Sequence, residues 1–314
     1  MSARGRKDEA FLTRLLALLF GLLFTGPAFA QQVQSALPPG IMAYPSLWHI
    51  AGDPIKGEMG EVYLLGSVHV LPSRVHWRSP PITRALSRST VYVFEVPQDD
   101  AAMAELNGLI QTKGFLPPGE SLRGQLHPKA LADYDAAVAA SGLPPANLER
   151  ARPWLAALQM TFAQIAKLNF APGNGVDSVL MKEAAQERKP MRHLETVADQ
   201  FAVLAPDDRA LELEEFESSL KELRDMAGEI GPMVHAWSTG NQAKLDELIN
   251  GDLDQFPQAR KELLDDRNKR WVPQIQAMLK EKQVFFITVG AGHLTGKNGV
   301  PALLRQAGYK VSGP

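Results

Sequence analysis

The residues best suited to chemistry sit in two short stretches, Gly66-Ser67-Val68-His69 and Gly290-Ala291-Gly292-His293. Each is a Gly-x-x-His, and each follows a run of strand-forming residues, Val62 to Leu65 in the first case and Val284 to Val289 in the second. Glycine at a strand end lets the backbone turn sharply or approach a ligand closely. Histidine there stands at the rim of a sheet, and ligand sites in open sheets lie beyond the carboxyl ends of the strands. A third strand-like run, Thr90 to Val96, carries Glu95 near its end. A carboxylate after so apolar a run needs a partner, because burying it alone is costly.

Two imidazoles and one carboxylate, His69, His293 and Glu95, suit a divalent metal such as Zn²⁺, Mn²⁺, Fe²⁺ or Co²⁺, with positions left for water. Such an ion lowers the pKa of its water and polarises a carbonyl. Without a metal the same trio would act as a general base and its orienter, Glu95 fixing a histidine tautomer. Arg152 and Arg267 are the candidate ion-pair partners of Glu95. Arg267-Asn268, with Trp271 one turn on, would deliver a guanidinium to the site. Other positions read more plainly. Asp177 is expected to cap a helix over 178–187. His193 reads as a surface residue, and His49, His76, His127 and His235 as ordinary polar positions. Glu212, Glu214, Glu215 and Glu217 alternate with apolar residues and read as a solvated helix face. There is no Gly-x-Ser-x-Gly, P-loop, His-Glu-x-x-His or dinucleotide fingerprint.

The elements that must position these residues follow from periodicity. Residues 47–67 read as a β-hairpin around a turn at 53–60. From about 101 to 283 the signals are helical, with a short strand at 190–195 and a long final helix over 262–282 interrupted at Pro273. A strand at 284–289, a Gly-rich loop, a helix at 300–306 and a strand at 309–311 close the chain. The expected fold is α/β (α+β): a mixed central sheet built from both termini, with a large helical insert between the two Gly-x-x-His units. No linker divides residues 31–314, so they read as a single domain.

The chain has 314 residues, 45% of them hydrophobic, a net charge of -2 and no cysteine. There is no basic excess to argue for nucleic acid. Disulfides, thiolate metal sites and a cysteine nucleophile are excluded. Residues 1–30 read as a secretory signal peptide: four basic residues early, an apolar run from Leu15 to Phe24, and a small-x-small site ending at Ala30. Cleavage after Ala30 leaves a mature chain of net charge about -4, periplasmic or secreted, with no stable membrane span.

The ordered set of motifs resembles the TraB/PrgY/GumN family, in its GumN-like branch. That family is related to the Tiki metalloproteases and, more remotely, to erythromycin-esterase-like and ChaN-like proteins. The residues that carry the resemblance are Tyr63 to His69; Val93-Phe94-Glu95-Val96; Arg152-Pro153-Trp154; Gly175-Val176-Asp177; Leu194-Glu195-Thr196 with Gln200; Trp237 and Gly240; Arg267-Asn268; and Phe286 to Leu294, with Gly296, Gly299 and Gly308-Tyr309. Several relatives carry Thr where this chain has Ser67. The resemblance implies one site made of His69, Glu95 and His293 as ligands of Mn²⁺, Co²⁺ or Zn²⁺, with Arg152, Asp177, Arg267 and Asn268 in support. The implied activity is that of an exported metal-dependent hydrolase cleaving a peptide or a small ester or amide, with Arg267 or Arg152 stabilising the oxyanion. The alternative is a non-catalytic periplasmic protein binding a metal, haem or a peptide in an envelope or polysaccharide system.

Overall fold

The computed structural model describes residues 40–251, 253 and 257–314; the leader expected at 1–30 and the cleavage expected after Ala30 lie outside them. Among the described residues ten strands run in chain order: β1 (Ile41–Met42), β2 (Leu47–Ala51), β3 (Glu61–Ser67), β4 (Leu71–Pro72), β5 (Val75–His76), β6 (Val91–Phe94), β7 (Phe170–Ala171), β8 (Met191–His193), β9 (Val284–Gly290) and β10 (Val311–Ser312). Six form one mixed sheet in the order β10-β2-β3-β9-β6-β8. β2 pairs antiparallel with β3 and β10, as the hairpin reading requires, while β3, β9, β6 and β8 run parallel. Strands from near the two ends of the chain, β3 and β9, thus lie side by side at the centre of the sheet, and β10 forms one edge. The register sets Ser67 beside Gly290 and Phe94 beside Thr288. Three neighbouring strands therefore end together, and the residues after them share one rim.

Alternation along the strands divides the apolar side chains between two faces. Tyr63, Leu65, Tyr92, Phe94 and Phe286 join the larger core with the helical insert. Val62, Leu64, Val91, Val93, Phe285 and Ile287 join a smaller core on the opposite face with Trp271, Ile275, Leu279 and Leu304. Helices that bear on the site are α1 (Val176–Gln186), α2 (Val197–Leu204), α3 (Arg209–Asp225), α4 (Ala227–Ser238) and α5 (Asp266–Leu279). Pro273 lies inside α5 without ending it. The break in that long helical stretch falls earlier, at a π turn over Lys261–Asp265. Asp177 is not the cap of α1: Gly175 holds that position and Asp177 lies in the first turn. Glu212 and Glu215 of α3 are buried, so the acidic run is not a solvated face throughout.

Candidate functional site

His69 leaves the end of β3 and is 3% exposed. Its Nδ1 lies 2.5 Å from Asp177 Oδ1. A carboxylate oxygen accepts, so Nδ1 carries a proton and donates it to Asp177. The contact depends on a close approach. The N–H of Val176 donates to Val68 O at 3.2 Å, and a Cβ on Gly175 would stand 2.2 Å from the carbonyl oxygen of His69. Only glycine lets the start of α1 come this near to the loop after β3. Glycine serves the same purpose at Gly66, where a Cβ would stand 3.0 Å from the Cα of Ala291. The two Gly-x-x-His loops therefore touch. The Trp237 indole, on α4, donates to the carbonyl of Gly66 at 2.8 Å and holds the first loop from the other side.

His293 is anchored in the same manner by a different residue. Its Nδ1 lies 2.7 Å from Asn268 Oδ1. The amide of Asn268 is oriented because its Nδ2 donates to Asn298 O at 2.9 Å. Nδ1 therefore donates, and Nε2 faces Arg267 Nη1 at 3.0 Å as an acceptor. The imidazole also lies against the Trp271 ring, centroids 4.3 Å apart. Burial first, then the charges of Arg267 and His69, hold its pKa well below the ordinary histidine value. His293 is a neutral imidazole.

Glu95 follows the last residue of β6. Its Oε1 accepts the N–H of Gly290 at 2.6 Å, its Oε2 accepts Arg267 Nη2 at 2.6 Å, and Gln200 of α2 stands 3.4 Å away. Burial pushes its pKa up, opposed by Arg267, His69 and the Gly290 N–H. The group takes its close contacts as an acceptor, the pattern of a carboxylate. Arg267, on α5, is fully engaged: Nε with both oxygens of Glu195 at 2.9 and 3.0 Å, Nη1 with Leu263 O at 3.3 Å and His293, Nη2 with Glu95. Burial works against its charge, and the carboxylates of Glu95 and Glu195 more than offset this, leaving its pKa raised. Leu263 belongs to the π turn, so the one irregular segment of this helix abuts the residue that binds the site together.

Of the residues expected at the site, His69, Glu95, His293 and Arg267 gather at the rim. His69 acts on the titration of both Glu95 and His293. Arg152 stands elsewhere. It is buried, and bonds Glu212 at 2.6 Å and the carbonyls of Lys113 and Pro206 at 3.0 and 2.9 Å. Glu212 also accepts the N–H of Trp154, so this ion pair fastens the start of one insert helix to α3. Glu195 carries a role that its sequence context did not reveal. It is 8% exposed, accepts from Arg267 and from Trp271 Nε1 at 3.0 Å, and meets Arg270 at 3.3 Å. The available signal was its place just past a strand, the position that also marked Glu95.

His69, Glu95 and His293 do not fit a metal as they stand. Glu95 Oε2 and His293 Nε2 both face Arg267, a permanent cation, and Glu95 Oε1 is taken by the Gly290 N–H. Among the described residues no three His, Asp or Glu side chains converge so as to hold a metal ion. Two buried polar atoms near the first loop, Ser67 Oγ and Asp177 Oδ2, have no hydrogen-bond partner. Each costs about 1–3 kcal/mol unless a polar ligand meets it.

A profile of the TraB/PrgY/gumN family matches residues 46–313. The chain belongs to this family. Among its relatives, Metalloprotease TIKI1 of Danio rerio is 26% identical over 316 residues, 84% of this chain. The chain spans only 62% of that protein's length. Uncharacterized protein YbaP of Escherichia coli is 25% identical over 246 residues, 77% of this chain and 87% of YbaP. Metalloprotease TIKI2 of Xenopus tropicalis is 46% identical over 54 residues, 17% of this chain and 10% of that protein. No solved structure matches significantly. Membership of the TraB/PrgY/gumN family and the mixed sheet drawn from both ends of the chain agree with the expectations from sequence.

Proposed function

We propose that this member of the family is a hydrolase of peptide, or of small amide or ester, bonds, with His69 as general base and Asp177 as its orienter. The observation that carries the reading is the 2.5 Å contact of Asp177 with His69 Nδ1, which orients the imidazole so that Nε2 is the nitrogen that exchanges protons with the substrate. In that reaction Nε2 takes a proton from the attacking water, whose oxygen bonds to the carbonyl carbon. The proton then passes to the leaving nitrogen or oxygen as its bond to carbon breaks. The charge of Arg267 would stabilise the oxyanion at this low-dielectric rim. Glu95, Glu195 and Asn268 would hold Arg267 and His293 in place. Two relatives named metalloproteases support peptide cleavage. The metal half of those names is opposed here by the contacts of Arg267.

The test is turnover on a peptide and ester library, with and without Mn²⁺, Co²⁺ or Zn²⁺. His69→Ala is expected to lower kcat by about 10²–10⁴. Asp177→Asn is expected to lower kcat with little change in KM and to move the pH–rate profile. Wild-type turnover in both variants would sink the mechanism. We also infer export, because residues 1–30 have the pattern of a secretory leader. Recovery of a mature protein that begins at Gln31 is the check, and an intact Met1 on the folded protein would remove it.

A further inference from the structure

We propose that Arg267 is the resident cation of this centre and holds the place that a divalent metal would otherwise take. The proposal rests on the site of the hydrolase reading, but on its charge and not on its turnover. A metal on His69, Glu95 and His293 would need His293 Nε2 and an oxygen of Glu95. Nε2 and Oε2 face one guanidinium, at 3.0 and 2.6 Å, and the other carboxylate oxygen, Oε1, already accepts the Gly290 N–H at 2.6 Å. That guanidinium is charged at every working pH, and its planar fork suits two carboxylates at once. It has no slack with which to move aside. Glu195 binds Nε, the Leu263 carbonyl binds Nη1, and the Trp271 ring lies 5.0 Å from the guanidinium carbon. The next residue, Asn268, fixes the histidine that Arg267 faces. Glu95 and Glu195 together bring two negative charges, met by Arg267 and by the half-exposed Arg270. The carboxylates that would attract a divalent ion are already neutralised, and the ion would have to settle beside a fixed like charge.

Calorimetric titration of the chelator-treated wild-type protein with Mn²⁺, Co²⁺ and Zn²⁺, beside His69→Ala and His293→Ala, is the first arm. No saturable binding that the histidine variants remove is expected. One equivalent of metal bound by the wild type and lost in both variants overturns the proposal. The second arm is thermal unfolding of Arg267→Ala, which leaves Glu95, Glu195 and His293 without their cation. Metal at about a hundred times its Kd is expected to raise the Tm of this variant by about 5–10 °C and to leave the wild type unmoved. No rise in a folded Arg267→Ala protein also overturns it. Should that variant not fold, the wild-type titration still decides. Turnover is read in neither arm. Metal uptake through the histidines sinks this proposal alone, and a metal-free wild type that cleaves nothing sinks the hydrolase reading alone.

Discussion

At the scale of single residues, the difference between Arg152 and Arg267 is the most instructive. Both were candidate partners for Glu95, and both are buried in ion pairs. Arg267 meets Glu95 and His293, whereas Arg152 meets Glu212 and ties down the start of the helix at Pro153–Lys167. Arg152→Ala leaves Glu212 as an uncompensated buried charge and should cost about 3–5 kcal/mol in stability. Turnover per folded molecule should be unchanged. Urea unfolding and active-fraction kinetics on the same sample check both, and a turnover defect at full folding would return Arg152 to the site. Glu95 was legible because a carboxylate is out of place after an apolar run. Asp177 was legible only as a polar residue beside a helix start, a place where a cap is the commoner role.

At the scale of elements, the site depends on two close approaches that glycine permits. Gly66 lets the loop after β3 lie against the loop after β9, and Gly175 lets the start of α1 reach His69. Gly175→Ala places a Cβ 2.2 Å from a backbone oxygen, so the loop or the helix must shift. The expected result is a loss of about 1–3 kcal/mol together with a fall in turnover that persists in the folded fraction, because the His69–Asp177 contact is broken. Urea unfolding and kinetics at a temperature where the variant is folded measure this, and full turnover there would show that the approach is not needed. The π turn at Lys261–Asp265 is a further device of this scale. A change of one residue there would rotate everything after it by about 100° about the helix axis and carry Arg267 off the rim.

At the scale of the whole molecule, acid should act through His293. Burial, then Arg267 and His69, hold its pKa far down in the folded protein, while the unfolded imidazole titrates near 6.5. The unfolded chain therefore binds the proton first. Stability is full above about pH 6.5 and falls as the pH drops below it. Glu95, pushed up by burial, works in the opposite sense, and its contribution is lost as the pH rises through its folded value. Urea midpoints of the wild type and His293→Gln between pH 8 and 5 isolate the first effect. The wild type should lose ground to the variant as the pH falls, and parallel curves would contradict the assignment.

The sequence by itself determined the six strands of the main sheet and which residues stand at their ends, since alternation, apolar runs and glycine are local signals; the two-residue strands β1, β4, β5 and β7 are too short to leave such a signal. It thereby delivered His69, Glu95 and His293 and a sheet drawn from both termini. It did not decide what each of these residues faces. Arg267 lies 172 positions from Glu95, Asp177 lies 108 from His69, and Arg152 lies 60 from Glu212. Partners at such separations are chosen by strand order and helix packing, which no local pattern records. Only the tertiary structure showed that the carboxylate and one histidine turn to a guanidinium, because the direction of a lone pair is settled by the neighbour it meets.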